Sequence, residues 1–215
     1  MRTQAREEMR MANPLLSFLI FLLAFTVQSC GGYKAADAED VEPREGEIVG
    51  VLVNSNGKAN PDSTIELYRE DGETPLTKYT GIDSDGRFGA FPPESGVYSI
   101  VGSMGNLDKV IVQGIVFTSG QGMNIGTVQT EKVGGLAVRV NVPSGHTPDG
   151  VVFQVMGYEA SATTIEEGAG LIEEGIPAGV YKVKFSKTGL QTLIVEKVEI
   201  QSGEPTVLPA VSLTE

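Results

Sequence analysis

The chain has 215 residues, with 28 Asp and Glu against 16 Lys and Arg and a net charge of −12. That balance excludes nucleic acid as a partner, because displacing phosphate counterions takes clustered Lys and Arg, and it excludes electrostatic docking on anionic lipid. The single cysteine, Cys30, rules out an internal disulfide framework, so packed cores alone must hold the fold.

The first element is the apolar run that begins at Leu15 and reads L-L-S-F-L-I-F-L-L-A-F-T-V. It is shorter than the roughly 20 residues a membrane span needs and has the length of a signal-peptide core. Arg2, Arg6 and Arg10 precede it together with Glu7 and Glu8; Met9 and Met11 are further candidate starts, and a start at Met9 leaves Arg10 as a basic flank. The run ends in Val27-Gln28-Ser29-Cys30-Gly31, which resembles the lipobox of bacterial lipoproteins. The resemblance implies cleavage between Ser29 and Cys30, acylation of the Cys30 thiol, and a lipid bilayer as the partner of the acylated cysteine. Losing residues 1–29 removes three arginines and two glutamates, a net +1, and takes the charge from −12 to −13. Each buried CH₂ contributes about 0.8 kcal/mol, so two or three chains anchor stably where one does not. Gly31, rather than Asp, after the cysteine resembles lipoproteins sent to the outer membrane, facing the periplasm or the exterior.

Residues 30–45, rich in Ala, Asp and Glu, are too poor in large apolar side chains to offset their entropy and are expected as a disordered acidic tether. From Gly46 the period becomes two. Glu47–Val53, Ser63–Tyr68, Leu76–Ile82, Arg87–Phe91, Gly96–Val101, Lys109–Phe117 and Gly122–Thr130 read as strands separated by turn residues, the pattern of a Greek-key sandwich over 46–132. Residues 133–215 repeat it. At an offset of 83, Gly96-Val97-Tyr98 falls on Gly179-Val180-Tyr181, Ile111-Val112 on Ile194-Val195, and Ser119-Gly120 on Ser202-Gly203. Gly135–Val142 and Gly150–Met156 match the first two strands. Glu159–Glu174 reads as a short helix or loose loop, and Gly134-Gly135 as a hinge. The fold class is therefore all-β, two tandem sandwiches. Phe88, Tyr98, Tyr181 and Phe185 are expected in the cores.

The segments G-E-I-V-G-V-L-V (46–53), T-G-I-D-S-D-G-R-F (80–88) and P-P-E-S-G-V-Y-S-I (92–100) resemble the carboxypeptidase regulatory-like, or transthyretin-like, domain. The second half keeps I-P-A-G-V-Y-K-V (176–183) but lacks the D-x-D-G-x-F element. The resemblance implies a non-catalytic module, since the zinc-bearing domain it accompanies in that family is missing from these residues.

Chemistry is sparse. Asp83, Asp85 and Glu94 occupy positions 1, 3 and 12 of a calcium-loop window, but Arg87 and Phe88 stand where a ligand and a glycine are required. His146, the single histidine, lies in a solvent loop with no nucleophile motif around it. An intramolecular isopeptide bond needs a first-strand lysine, which Glu47–Val53 and Leu136–Val142 lack. No catalytic, metal or cofactor site is expected. The remaining function is adhesion, scaffolding or protein binding at the envelope, through sheet edges and the loops Asp83–Gly86 and His146–Gly150. The alternative is a carbohydrate-binding module using Tyr68, Tyr79 or Tyr158 as platforms, so the expected partner is an envelope protein or a glycan.

Overall fold

Strands form where Val, Ile, Tyr and Thr recur at alternate positions, and turns where Gly, Asn and Asp relax the backbone. The computed structural model describes residues 33–34, 36–70, 72–80 and 82–215; the leader, Ser29 and Cys30 lie outside the described residues. The first sandwich contains β1 (Tyr33–Lys34), β2 (Ile48–Val53), β3 (Lys58–Ala59), β4 (Thr64–Arg69), β5 (Thr77–Thr80), β6 (Arg87–Ala90), β7 (Gly96–Ser103), β8 (Asp108–Phe117), β9 (Met123–Gln129) and β10 (Glu131–Lys132). One sheet runs β6-β2-β9 and the other β10-β8-β7-β4-β5. Ile48, Leu52 and Phe88 from the first meet Ile65, Leu67 and Tyr98 from the second.

The second sandwich contains β11 (Gly134–Asn141), β12 (Val152–Val155), β13 (Ala160–Thr163), β14 (Ala169–Ile176), β15 (Gly179–Ser186), β16 (Leu193–Ile200), β17 (Pro205–Val207) and β18 (Val211–Ser212). Its sheets are β14-β11-β17, with β18 also paired to β11, and β13-β12-β15-β16. Leu136, Val138, Phe153, Tyr181 and Phe185 fill its core. The repeat is topological as well as sequential. β2 is parallel to β9 and antiparallel to β6, as β11 is parallel to β17 and β18 and antiparallel to β14. The offset of 83 carries β7 onto β15 end to end. It also carries the hydroxyl of Tyr98, which donates to the Glu94 carbonyl at 2.8 Å, onto that of Tyr181, which donates to the Pro177 carbonyl at 2.8 Å.

Three expectations are corrected. The tether is not loose: Tyr33–Lys34 pairs with Lys58–Ala59, and a 3-10 turn at Ala38–Asp40 packs Ala38 on Val51 and Val53, with Ala36 and Val41 beside them. The reason is the strand below. Val49, Val51 and Val53 point away from the sandwich core and all are buried, so the unbroken apolar run I-V-G-V-L-V is a strand covered on both faces. Second, Glu159–Glu174 is not a loose loop: its helix is a single 3-10 turn at Glu166–Gly168, and it otherwise contains β13 and most of β14. Third, Gly134 and Gly135 are no hinge. Both are buried in β11, and a Cβ at Gly135 would lie 2.5 Å from the Ile172 carbonyl oxygen.

Residues Gly32–Glu215 form one unit. The loops 156–159 and 176–179 of the second sandwich pack on the outer face of β4, β7 and β8. Tyr68 and Val101, which alternation turns away from the first core, belong to the second. Gly157 donates its amide to the Gly72 carbonyl at 3.0 Å, and Gly179 closes on Ile111.

Candidate functional site

The junction holds the densest polar chemistry. Tyr68 and Tyr158, 0% and 5% exposed, pack with ring centroids 6.1 Å apart. Neither is the surface platform that the glycan-binding alternative requires, because each sandwich covers the other's tyrosine. The Lys109 ammonium donates to the Tyr158 hydroxyl at 2.7 Å and lies 5.4 Å from the centre of its ring, and the Tyr158 hydroxyl donates to the Gly175 carbonyl at 2.8 Å. Tyr68 donates to Glu66 at 3.0 Å, and Lys78 pairs with the same carboxylate at 2.6 Å.

Burial pushes the Tyr68 and Tyr158 phenols up, with the Glu66 charge adding to both, and burial pushes the Lys109 ammonium down. Both shifts disfavour charge at the phenols and at Lys109, so the cluster is a satisfied joint rather than an acid–base pair poised near neutrality. Lys184 and Glu73 form an ion pair across the same seam.

Clefts open on either side. One of about 390 Å³ is lined by Lys109, Tyr158, Glu159 and Glu174. Another of about 430 Å³ lies between Gln113 and Gly114 of β8 and Lys182, Glu196 and Lys197 of the second sandwich. Both are open: the first is mainly polar, and the second, which also includes Met156, Val180 and Tyr181, lacks the enclosure of a small-molecule site.

The other sequence candidates are used locally. The Asp83 carboxylate accepts the amides of Asp85 at 3.0 Å and Arg87 at 2.8 Å, closing its own turn. Glu94 pairs with Arg69. The structure therefore does not bring Asp83, Asp85 and Glu94 together as ligands, and among the described residues no three His, Cys, Asp or Glu are grouped to hold a metal. His146 Nε2 stands 3.6 Å from Glu215 at the edge of an open cleft of about 580 Å³ that also includes Arg139, Asp149 and Glu167. Tyr79 is tied to the backbone of Phe91, accepting its amide at 2.8 Å. Among the described residues no helix is long and apolar enough to cross a membrane. The sequence alone does not reveal the junction: Tyr68 and Lys109 sit on strands it identifies, and Tyr158 falls between the strand Gly150–Met156 and the segment Glu159–Glu174.

No family model matches this chain, and no curated protein matches it. Among solved structures it is similar to a cohesin–X-dockerin complex from Acetivibrio cellulolyticus, at 20% identity over 37% of this chain with a TM-score of 0.32. It is similar to the TIE protein of Bacillus anthracis at 17% identity over 80% of this chain, TM-score 0.32. The minor pilin GBS52 of Streptococcus agalactiae is matched at 12% identity over 79% of this chain and 95% of the pilin, TM-score 0.37. The chain spans 56% and 35% of the first two. Likenesses this distant assign it no family.

Proposed function

We propose that this chain is a lipid-anchored envelope protein whose two fused sandwiches serve as a non-catalytic body for adhesion, scaffolding or protein binding. The fused junction carries the reading. It spends the polar and aromatic side chains of Lys109, Tyr158, Tyr68 and Glu66 on holding the sandwiches together, which leaves turns and sheet edges at fixed spacing as the surface offered to a partner. The anchor is supported by the Val27–Cys30 sequence directly after an apolar leader-length run. A lipoprotein of a diderm outer membrane, in the transthyretin-like group that the 46–100 motifs resemble, fits both.

The glycan-binding alternative is weakened by the burial of Tyr68 and Tyr158, since sugars stack on accessible rings. Fatty-acid labelling in a Gram-negative host tests the anchor: the wild-type chain takes up label and sediments with membranes, and Cys30→Ser abolishes both. A Cys30→Ser chain that still carries label removes the anchor from the proposal. Envelope pull-downs against a glycan array then decide between protein and sugar as the partner.

A further inference from the structure

The outer face of the β6-β2-β9 sheet is covered by the chain's own residues 36–45, held as a strap. The Asn124 amide nitrogen on β9 donates to the Ala38 carbonyl at 2.8 Å and the Val41 carbonyl at 2.7 Å. Ala36 donates to the Asp85 carbonyl at 2.8 Å. At the other end of the strap Pro43 and Arg44 close on Gly122, and the Arg44 amide donates to the Glu47 carboxylate at 3.0 Å.

These contacts give the strap a direction. It starts beside the turn Asp83–Gly86, runs down the sheet against β2, reverses at Glu45-Gly46, and the chain climbs back as β2. β2 has six residues, about 20 Å at the rise of an extended strand. A tether left loose up to Gly46 would leave the sandwich at the end bearing the Thr118–Gln121 turn. With the strap docked, the chain leaves at the opposite end, where β1 pairs with β3 next to the turns Asn54–Gly57 and Asp83–Gly86.

We infer that the strap orients the body on the membrane, so that the end carrying Asn54–Gly57 and Asp83–Gly86 faces the lipid headgroups. This rests on the anchor at Cys30. From Cys30 to Ala36 is six residues, at most about 21 Å even when fully extended, so that end cannot stray far from the bilayer. The orientation comes from the covalent route of the chain, because the turns and strand ends there carry Asp62, Asp83, Asp85 and Asp108 against Lys58, Arg87, Lys109 and Lys132 and offer anionic lipid no net attraction. Asp83–Gly86 then belongs to the membrane side and not to the partner-binding surface.

The test uses the acylated full chain in phosphatidylethanolamine–phosphatidylglycerol vesicles that carry a headgroup nitroxide. Cys30 is acylated, so a thiol fluorophore labels an introduced cysteine alone. Labels at Asn56→Cys and Ser119→Cys report the two ends. The expected result is quenching several-fold stronger at 56 than at 119. In the Ala38→Asp, Asn124→Ala background, which frees the strap, the contrast disappears or reverses. Equal quenching in the intact chain, or a contrast that survives loss of the strap, overturns the orientation while leaving the anchor standing. A chain that does not sediment with the vesicles overturns the anchor and the orientation with it.

Discussion

Lys197→Gly should stabilise the protein, although it removes a side chain and introduces the most flexible residue. The two sandwiches share a bulge. Pairing between β7 and β8 passes from Tyr98↔Ile115 to Ile100↔Val112, and pairing between β15 and β16 from Tyr181↔Val198 to Val183↔Val195. At the bulge β8 and β16 therefore each carry one extra residue, and the repeat aligns Gly114 with Lys197. Gly114 has φ +70° and Lys197 φ +59°, so an exposed lysine occupies the left-handed position that the first sandwich gives to glycine. That conformation costs a non-glycine residue about 1–2 kcal/mol. The greater freedom of glycine in the unfolded chain returns roughly 0.5–1 kcal/mol of this. The net gain is about 0.5–1 kcal/mol, which for a folded body of this size raises Tm by about 1–4 °C. Urea titration and thermal melting of the purified chain measure it. The reciprocal Gly114→Ala should lose about 1 kcal/mol or more. A Lys197→Gly chain that melts lower than wild type, or a neutral Gly114→Ala, would refute the argument from shared bulge geometry.

Two further perturbations address the junction. Burial raises the phenols of Tyr68, Tyr158 and Tyr181, while in the unfolded chain they titrate near 10. Above about pH 10 the unfolded chain releases protons that the folded one keeps, so stability present below that pH falls as pH rises. The lowered Lys109 acts in the opposite sense, gaining stability as pH climbs toward the ordinary lysine value, but it is one group against three. Urea midpoints between pH 8 and 11 should drop beyond pH 10, less steeply in Tyr68→Phe; a flat profile contradicts the burial. Tyr158→Ala should cost about 3 kcal/mol or more, in the range for losing a buried ring, and should split a single calorimetric transition into two. One unshifted transition would mean that the sandwiches are not coupled through this residue.

The strands, the repeat and the core aromatics were legible because each rests on period-two alternation or on turn chemistry. Phe88, Tyr98, Tyr181 and Phe185 are all buried where alternation puts them. What alternation cannot report is which solvent-side faces find a second partner. Tyr68 follows the outward rule within β4 and is buried by the other sandwich. The strap was missed for a related reason. Its own composition is that of a disordered segment, and the sign of its docking lies in β2, where Val49, Val51 and Val53 leave no polar face. The equivalent positions on β11, Ala137, Arg139 and Asn141, alternate with the core residues Leu136, Val138 and Val140, and two of the three are exposed. The contrast between the two strands was in the sequence, and it separates a sheet that needs a cover from one that does not.

The missing D-x-D-G-x-F element of the second half has a packing explanation. In the first sandwich Gly50 on β2 pairs with Phe88 on β6, and a Cβ at Gly50 would stand 2.7 Å from the Phe88 ring. In the second, the register partners are Val138 and Gly170. A Cβ at Gly170 would collide with the ring of Phe153, which projects from β12, the strand corresponding to β4. The large ring has moved from one sheet to the other, and glycine sits opposite it in both. Cores hold volume more strictly than they hold the identity of the residue that supplies it, so Gly50 with Phe88 and Phe153 with Gly170 are two solutions to one packing problem. The second half has therefore lost the motif without losing the sandwich. Its Phe153 stacks on Phe185, centroids 6.2 Å apart, doing for that core what Phe88 does for the first.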